Sequence, residues 1–371
     1  MEEGSAGGDG AGESGGAAGS SNPDRKPPPR TSPPSDPDPA PADPEPSDPG
    51  AGGASGQPDP SGQTGVGTDA GSPSGPMADA MPEPVDPPAS PPPEPVDVCA
   101  NLAALPVAFT TRTDVPVTDE FTFDGQGNLL AFDGRDVVRI NANGGFEPLF
   151  RNVLGARGGA LRALDTGELM VADYQREEII RLDPGESRPS RSGNVRRPMK
   201  MVRGPADTLF VSSSNGFIYR IDVRTGNQRV VVSGRTEWSG LTFDVGYNTL
   251  YAGADDEDAI YTLSLDAAGN LGPPRRWLRV DVPKAMATDA CGNIYVVGGN
   301  SGTVRRIDAE GRVQTVANVR ADDLWSVAFG SGQQGWSETS LYVMDYDDRG
   351  LYELQVRVKG NPPPPPATII P

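Results

Sequence analysis

A short run of alternating apolar and β-prone residues recurs along the chain as LLAFD at 129, LMVAD at 169, LFVSS at 209, LYAGA at 250, IYVVG at 294 and LYVMD at 341. The spacings are 40, 40, 41, 44 and 47 residues. A small-residue turn precedes each run, as in DGQGN before Leu129 and DACGN before Ile294, and predicts a tight hairpin. Before the turn lies another apolar strand, FTFD at 121, LTFD at 241 or MATD at 286. About eight residues after the run starts comes a third, IIRL at 179 or IYRI at 218. A fourth, such as RVVVSG at 229, follows most of these. No segment has helical periodicity.

Four strands per unit of about 40 residues, repeated six times, predict an all-β fold, a six-bladed β-propeller. A β-solenoid would need capping repeats and shorter coils. The sixth unit ends near Gly360 with too little sequence for a fourth strand, so the ring must borrow one. Residues 104–112, ALPVAFTTR, precede the first unit and are the candidate. The propeller is therefore expected over residues 97–360, followed by a Pro-rich disordered tail, residues 361–371.

Composition changes abruptly before it. Residues 1–96 hold no Leu, Ile, Phe, Trp or Tyr but 24 of the 40 prolines, with Gly, Ser and Asp making up much of the rest. Such a segment cannot offset the entropy of ordering, and a disordered, low-complexity acidic linker is expected. It carries −13 of the net −19. The rest is too weakly charged to imply a basic partner, and an acidic chain argues against nucleic acid. As a flexible tether it would span roughly 50–60 Å. No run is long enough for a transmembrane helix, and MEEGSAGGDG lacks the features of a signal peptide. A long tether ahead of one folded domain is nevertheless the layout of an extracytoplasmic lipoprotein, in the periplasm or at the cell surface. A signal peptide and a lipid anchor are expected to be encoded upstream of Met1.

The two cysteines fit this topology. Cys291 lies in an inner hairpin turn of blade 5, and Cys99 just before the borrowed strand of blade 6, which places both on one face of adjacent blades. A disulfide locking the ring is expected, against the alternative of two free thiols; its persistence would point to an oxidising compartment.

Ligands of six-bladed propellers meet the channel mouth where each innermost strand begins. Stepping back five residues from the residue that opens the first hairpin turn of each blade gives Asp119, Ala160, Met199, Ser239, Lys284 and Trp325 as a ring, with Glu120, Trp238 and Leu324 beside it. Trp238, Trp325 and Met199 could floor the mouth for a sugar ring or peptide side chain, or pack between blades.

The stretches DEFTFDGQGNLLAFD, TEWSGLTFDVGYNTLYAG and PKAMATDACGNIYVV resemble blades of the gluconolactonase and senescence-marker-protein family, part of the wider TolB-like propeller group. The resemblance spans about residues 115–358 and implies a six-bladed propeller with one divalent cation, such as calcium, in the channel mouth. It aligns the family's metal-binding glutamate with Asp119, its metal-binding asparagine with Ser239, and its ligand and base aspartate with Lys284. One position keeps a carboxylate and two are changed.

Lys284 alters the chemistry most, because an ammonium offers no lone pair and repels a divalent cation, which wants several oxygens. No metal or other cofactor is therefore expected, the alternative being a cation held through Asp119. Lys284 is expected to take the cation's place, paired with Asp119 or Glu120 across the mouth, or else to be a solvated or salt-bridged structural residue. Acidic residues gather in loops on the same face, at Asp133, Asp136, Asp173, Asp255 to Asp258, Asp345, Asp347 and Asp348. They read as a calcium rim or as turn caps. The chain has no histidine, which excludes histidine-based lyase, lactonase and triad chemistry in their usual forms.

The expected function is a tethered module binding a small polar ligand or a protein at a degenerate lactonase-type mouth. The alternative is a diverged sugar-lactone or ester hydrolase with Asp119 and Lys284 as its catalytic pair; a rigid spacer is the third reading.

Overall fold

A computed structural model of the chain describes residues 97–364, apart from 114–117, 156–157, 184, 186–188, 299–300, 320 and 347–349. The expected linker 1–96, the end of the tail from 365, and Asp347 and Asp348 of the acidic rim lie outside the described residues.

The turn between the first two strands of blades 1 and 5 shows how the recurring pattern is built. In Asp124-x-x-x-Asn128, Asp124 Oδ1 accepts the backbone N–H groups of Gln126 and Asn128 at 2.9 and 2.8 Å, while Oδ2 accepts Asn128 Nδ2 at 2.9 Å. The same arrangement recurs at Asp289 and Asn293. The glycine before each asparagine, Gly127 or Gly292, has φ of 82° or 83°, which a side chain would disfavour. The Asp-x-x-Gly-Asn signature thus closes a hairpin and sets the next strand's register.

Strand β1 (Phe109–Thr113) stands apart, and blade 1 follows as β2 (Thr118–Phe123), β3 (Leu129–Asp133), β4 (Asp136–Ile140) and β5 (Phe146–Phe150). Blade 2 is β6 (Gly159–Ala163), β7 (Leu169–Asp173), β8 (Glu178–Leu182) and β9 (Ser190–Asn194); blade 3 is β10 (Pro198–Gly204), β11 (Thr208–Ser213), β12 (Phe217–Asp222) and β13 (Gln228–Ser233). Blade 4 is β14 (Trp238–Phe243), β15 (Thr249–Ala254), β16 (Ala259–Ser264) and β17 (Arg275–Arg279), and blade 5 is β18 (Ala285–Thr288), β19 (Ile294–Val297), β20 (Thr303–Ile307) and β21 (Val313–Asn318). Blade 6 has only β22 (Leu324–Phe329), β23 (Leu341–Asp345) and β24 (Leu351–Leu354) of its own.

Each blade is a four-stranded antiparallel sheet, and β1 completes the sixth by pairing with β24, Phe109 opposite Leu354. The fold is the expected six-bladed propeller, closed by the expected segment. Hydrophobic residues on the two faces of each sheet form clusters between neighbouring blades. One joins Phe121, Leu129 and Val138 of blade 1 to Tyr342, Met344 and Leu351 of blade 6. Burial on both faces explains why the second strands read as nearly continuous apolar runs.

Cys99 and Cys291 form a disulfide with Cα atoms 5.7 Å apart across 192 residues of sequence. It pins the segment before β1 to the lower face, where the inner hairpin turns lie. The mouth where innermost strands begin is on the opposite, upper face. Asn361–Pro364, expected to begin a disordered tail, instead lies along the lower mouth: Asn361 N donates to Thr288 O at 2.8 Å, and Tyr247 Oη to Pro362 O at 2.5 Å.

Candidate ligand site at the channel mouth

Where the innermost strands enter the channel, their pairing slips. The register shifts between Thr118 and Phe121 in β2, Pro198 and Met201 in β10, Trp238 and Leu241 in β14, and Leu324 and Ser326 in β22. Such bulges re-aim side chains, and here they decide which residues face the axis. Asp119 sits at one of them with φ of 69°.

The first layer is sealed. Glu120 Oε2 accepts Lys200 Nζ at 2.8 Å, and Oε1 lies 3.3 Å from both Arg162 Nη2 and Ser326 Oγ. Four blades therefore meet on one carboxylate, with the Glu120 and Lys200 side chains 3% and 4% exposed. Burial pushes the Lys200 ammonium down from its ordinary range, and the Glu120 charge opposes that shift. Blades 3 and 6 are diametrically opposite, yet Lys200 Nζ lies over the Trp325 ring at 5.1 Å from its centroid. This layer spans the channel from side to side.

Above it is a second, more open layer. Lys284 Nζ lies 4.4 Å from the Trp325 centroid and donates to both oxygens of Asp323, at 3.0 and 3.2 Å. Its partner is thus Asp323, from the loop ahead of β22, and not Asp119 or Glu120 as expected. The pair is 17% and 18% exposed. Three glycines let the Pro283-Lys284 loop approach: a side chain on Gly240 or Gly253 would meet Pro283 O at 2.9 or 2.3 Å, and one on Gly298 would meet Lys284 N at 2.6 Å. Asp119 is likewise packed onto Gly158, where a Cβ would fall 1.7 Å from its carboxyl carbon.

Ser239 is buried, its hydroxyl 2.5 Å from Asp255 Oδ1 and 2.9 Å from Pro283 O. One hydroxyl proton cannot serve both acceptors. Burial raises the Asp255 carboxyl above its ordinary range, and in its protonated form Asp255 donates to Ser239, which then donates to Pro283.

The remaining expected residues divide. Trp325 and Met199 are half-buried at the mouth level, whereas Trp238, 2% exposed, is sealed in the cluster of blades 3 and 4 and packs edge-on against Tyr261 at 5.3 Å. Ala160 and Leu324 are core. The acidic rim residues cap local structure. Asp136 accepts Asn152 N, and Asp173 accepts the N–H groups of Gly155, Gln175 and Arg176. Asp256 accepts Glu237 N, and Glu257 binds the Thr236 and Tyr261 hydroxyls.

The sequence profile described as the SMP-30/Gluconolactonase/LRE-like region matches residues 121–344, more than half of the chain. The chain belongs to that family. Among solved structures, a gluconolactonase from Xanthomonas campestris aligns with a TM-score of 0.57 at 16% identity, over 67% of this chain and 89% of its own. A calcium-binding regucalcin from Agrobacterium tumefaciens aligns with a TM-score of 0.56 at 17% identity, over 71% and 98%. At such identities these likenesses speak to the fold. Compared by sequence with curated proteins, the chain matches none.

Membership of the SMP-30/gluconolactonase family implies a divalent cation at the mouth, and the residues present do not fit one. The aligned positions offer the Asp119 carboxylate, a Ser239 hydroxyl already engaged by Asp255 and Pro283, and the Lys284 ammonium. Among the described residues no three Asp, Glu, Cys or His side chains gather as a metal-binding group. A hard cation needs several oxygens and no neighbouring positive charge.

Proposed function

We propose that this member of the SMP-30/gluconolactonase family is a metal-independent binding propeller whose upper mouth takes a small polyhydroxylated or anionic ligand. The observation that carries the reading is Lys284, a charged donor held by Asp323 over the Trp325 ring at an aligned metal-ligand position. The ammonium supplies a fixed positive charge with donor capacity for ligand oxygens, and the indole a flat apolar surface for a sugar-like ring. The sealed Glu120 layer beneath forms a floor, so a ligand enters from the upper face only.

The propeller is further proposed to work outside the cytoplasm on the acidic tether, held by a lipid anchor. The Cys99–Cys291 bond supports an oxidising compartment, and no described helix is long and apolar enough to cross a membrane.

Calorimetry of the full chain in EDTA, with D-gluconate and D-glucose as probes, tests the binding reading. Binding of either by the wild type and its loss in Lys284→Ala and Trp325→Ala are expected. Absence of binding, or binding that appears only with a divalent cation, would overturn it. A second reading, a diverged sugar-lactone hydrolase using Asp119 and Lys284, rests on the family membership and the retained carboxylate. Turnover of D-glucono-1,5-lactone that Asp119→Asn abolishes would put it first.

A further inference from the structure

Several acidic side chains of the upper face are fastened to backbone: Asp136, Asp173 and Asp256 each accept at least one N–H group. Asp323 is held differently. Both its carboxylate oxygens accept a single donor, Lys284 Nζ, at 3.0 and 3.2 Å, and no other hydrogen bond among the described residues reaches them. Its backbone is anchored separately, since Asp323 O accepts Tyr346 N at 2.9 Å. Rotation of the side chain therefore leaves the loop in place, and at 18% exposure that side chain already borders water.

The group that Asp323 occupies is the one the mouth offers to a ligand. Lys284 Nζ stands 4.4 Å from the centroid of the Trp325 ring, which packs on Tyr346 at 5.5 Å. Trp325 and Tyr346 are both half-buried, so an aromatic wall adjoins the ammonium. A neutral hydroxyl competes poorly with Asp323 for Lys284, because a charge-assisted contact is roughly twice as strong as a neutral one. A ligand carboxylate competes on equal terms. It restores the charged contact while Asp323 returns to water, and a partly exposed ion pair costs little to give up. The flat indole further favours a carboxylate carried on a ring.

We infer that Asp323 is an internal stand-in for a ligand's carboxylate, and that the ligand is a ring-closed sugar acid of the uronate class. On binding, its carboxylate replaces Asp323 on Lys284 and its ring lies against Trp325. Asp323 thereby sets both the affinity of the site and its preference for an acid. This assignment rests on the metal-independent binding proposed above and adds the charge and the ring form of the ligand.

Calorimetry of the full chain in EDTA with sodium D-glucuronate, and with D-glucuronamide as the neutral analogue of the same ring, tests it. Wild type should bind the acid at least about fivefold more tightly than the amide. Asp323→Asn, which releases the ammonium without adding bulk, should bind the acid about fivefold more tightly again and the amide as wild type does. Lys284→Ala should no longer bind the acid. A residue that only orients Lys284 gives the opposite sign: Asp323→Asn would then weaken the acid, and that result or an unchanged affinity would overturn the exchange. Equal tightening of both probes, or equal affinity of wild type for the two, would overturn it as well, while binding without a metal still stood. No binding of either probe would also overturn it, and whether D-gluconate then binds shows if the metal-independent reading falls with it.

Discussion

Two lysines, Lys200 and Lys284, lie over the same Trp325 ring, each bound to one carboxylate, and their settings differ in one respect. Lys200 and Glu120 are sealed at 4% and 3% exposure, whereas Lys284 and Asp323 keep 17% and 18%. A sealed ion pair carries its desolvation cost permanently and is useful only as a matched set; a half-open pair can exchange its partner for a ligand's oxygens. The first pair is therefore the partition across the channel and the second the surface proposed to receive a ligand.

That contrast is broken most forcefully at the partition. Lys200→Met leaves the Glu120 carboxylate buried with Arg162 as its remaining ion-pair partner among the described residues, and urea unfolding should show a loss of about 3–5 kcal/mol. Lys200→Met with Glu120→Gln should recover much of it. Opening the ring elsewhere gives the next largest effect. Cys99→Ser, or reductant on the wild type, releases a closure spanning 192 residues and should cost about 2–4 kcal/mol in the same assay.

At the receptive surface the stability effects shrink. Lys284→Ala should stay within about 1 kcal/mol of wild type, as for other partly exposed pairs, while ligand binding is lost. The smallest effect is a slope against pH. Burial holds the Asp255 carboxyl above its ordinary 3.8, so the folded chain binds that proton more tightly than the unfolded chain. Its contribution is therefore greatest at low pH and declines as pH rises from 3.8 through the raised value. Asp255→Asn should remove that decline; an unchanged slope would show the carboxyl to be ionised in the Ser239 contact.

The fold was legible because the blades repeat a continuous apolar second strand after a tight turn, which in blades 1 and 5 is anchored by an Asp and carries a glycine in the left-handed region. The borrowed strand and the disulfide followed from counting strands and from hairpin direction. The site was legible only in part. A fixed step back along each blade reaches Asp119, Ser239, Lys284 and Trp325, but in blade 3 it reaches Met199, and the buried charge is one residue on at Lys200, as Glu120 is one residue past Asp119 in blade 1. Lys200 was missed, although a lysine in the apolar run PMKMV was the available signal. Trp238 and Trp325 look alike in sequence, yet Tyr261 and the blade 3–4 core enclose the first. Asp323 as partner of Lys284, 39 residues on, is a product of the ring and has no local signature.

The central claim is that Lys284 stands where a cation would otherwise be held, and a thermal-unfolding titration of wild type and Lys284→Asp with calcium, magnesium, manganese and zinc tests it most directly. A cation at 100 times its dissociation constant stabilises a native state by about 2.7 kcal/mol, well within reach of such a scan. The account predicts no shift for the wild type and a saturable shift for Lys284→Asp. A shift of that size in the wild type would contradict it.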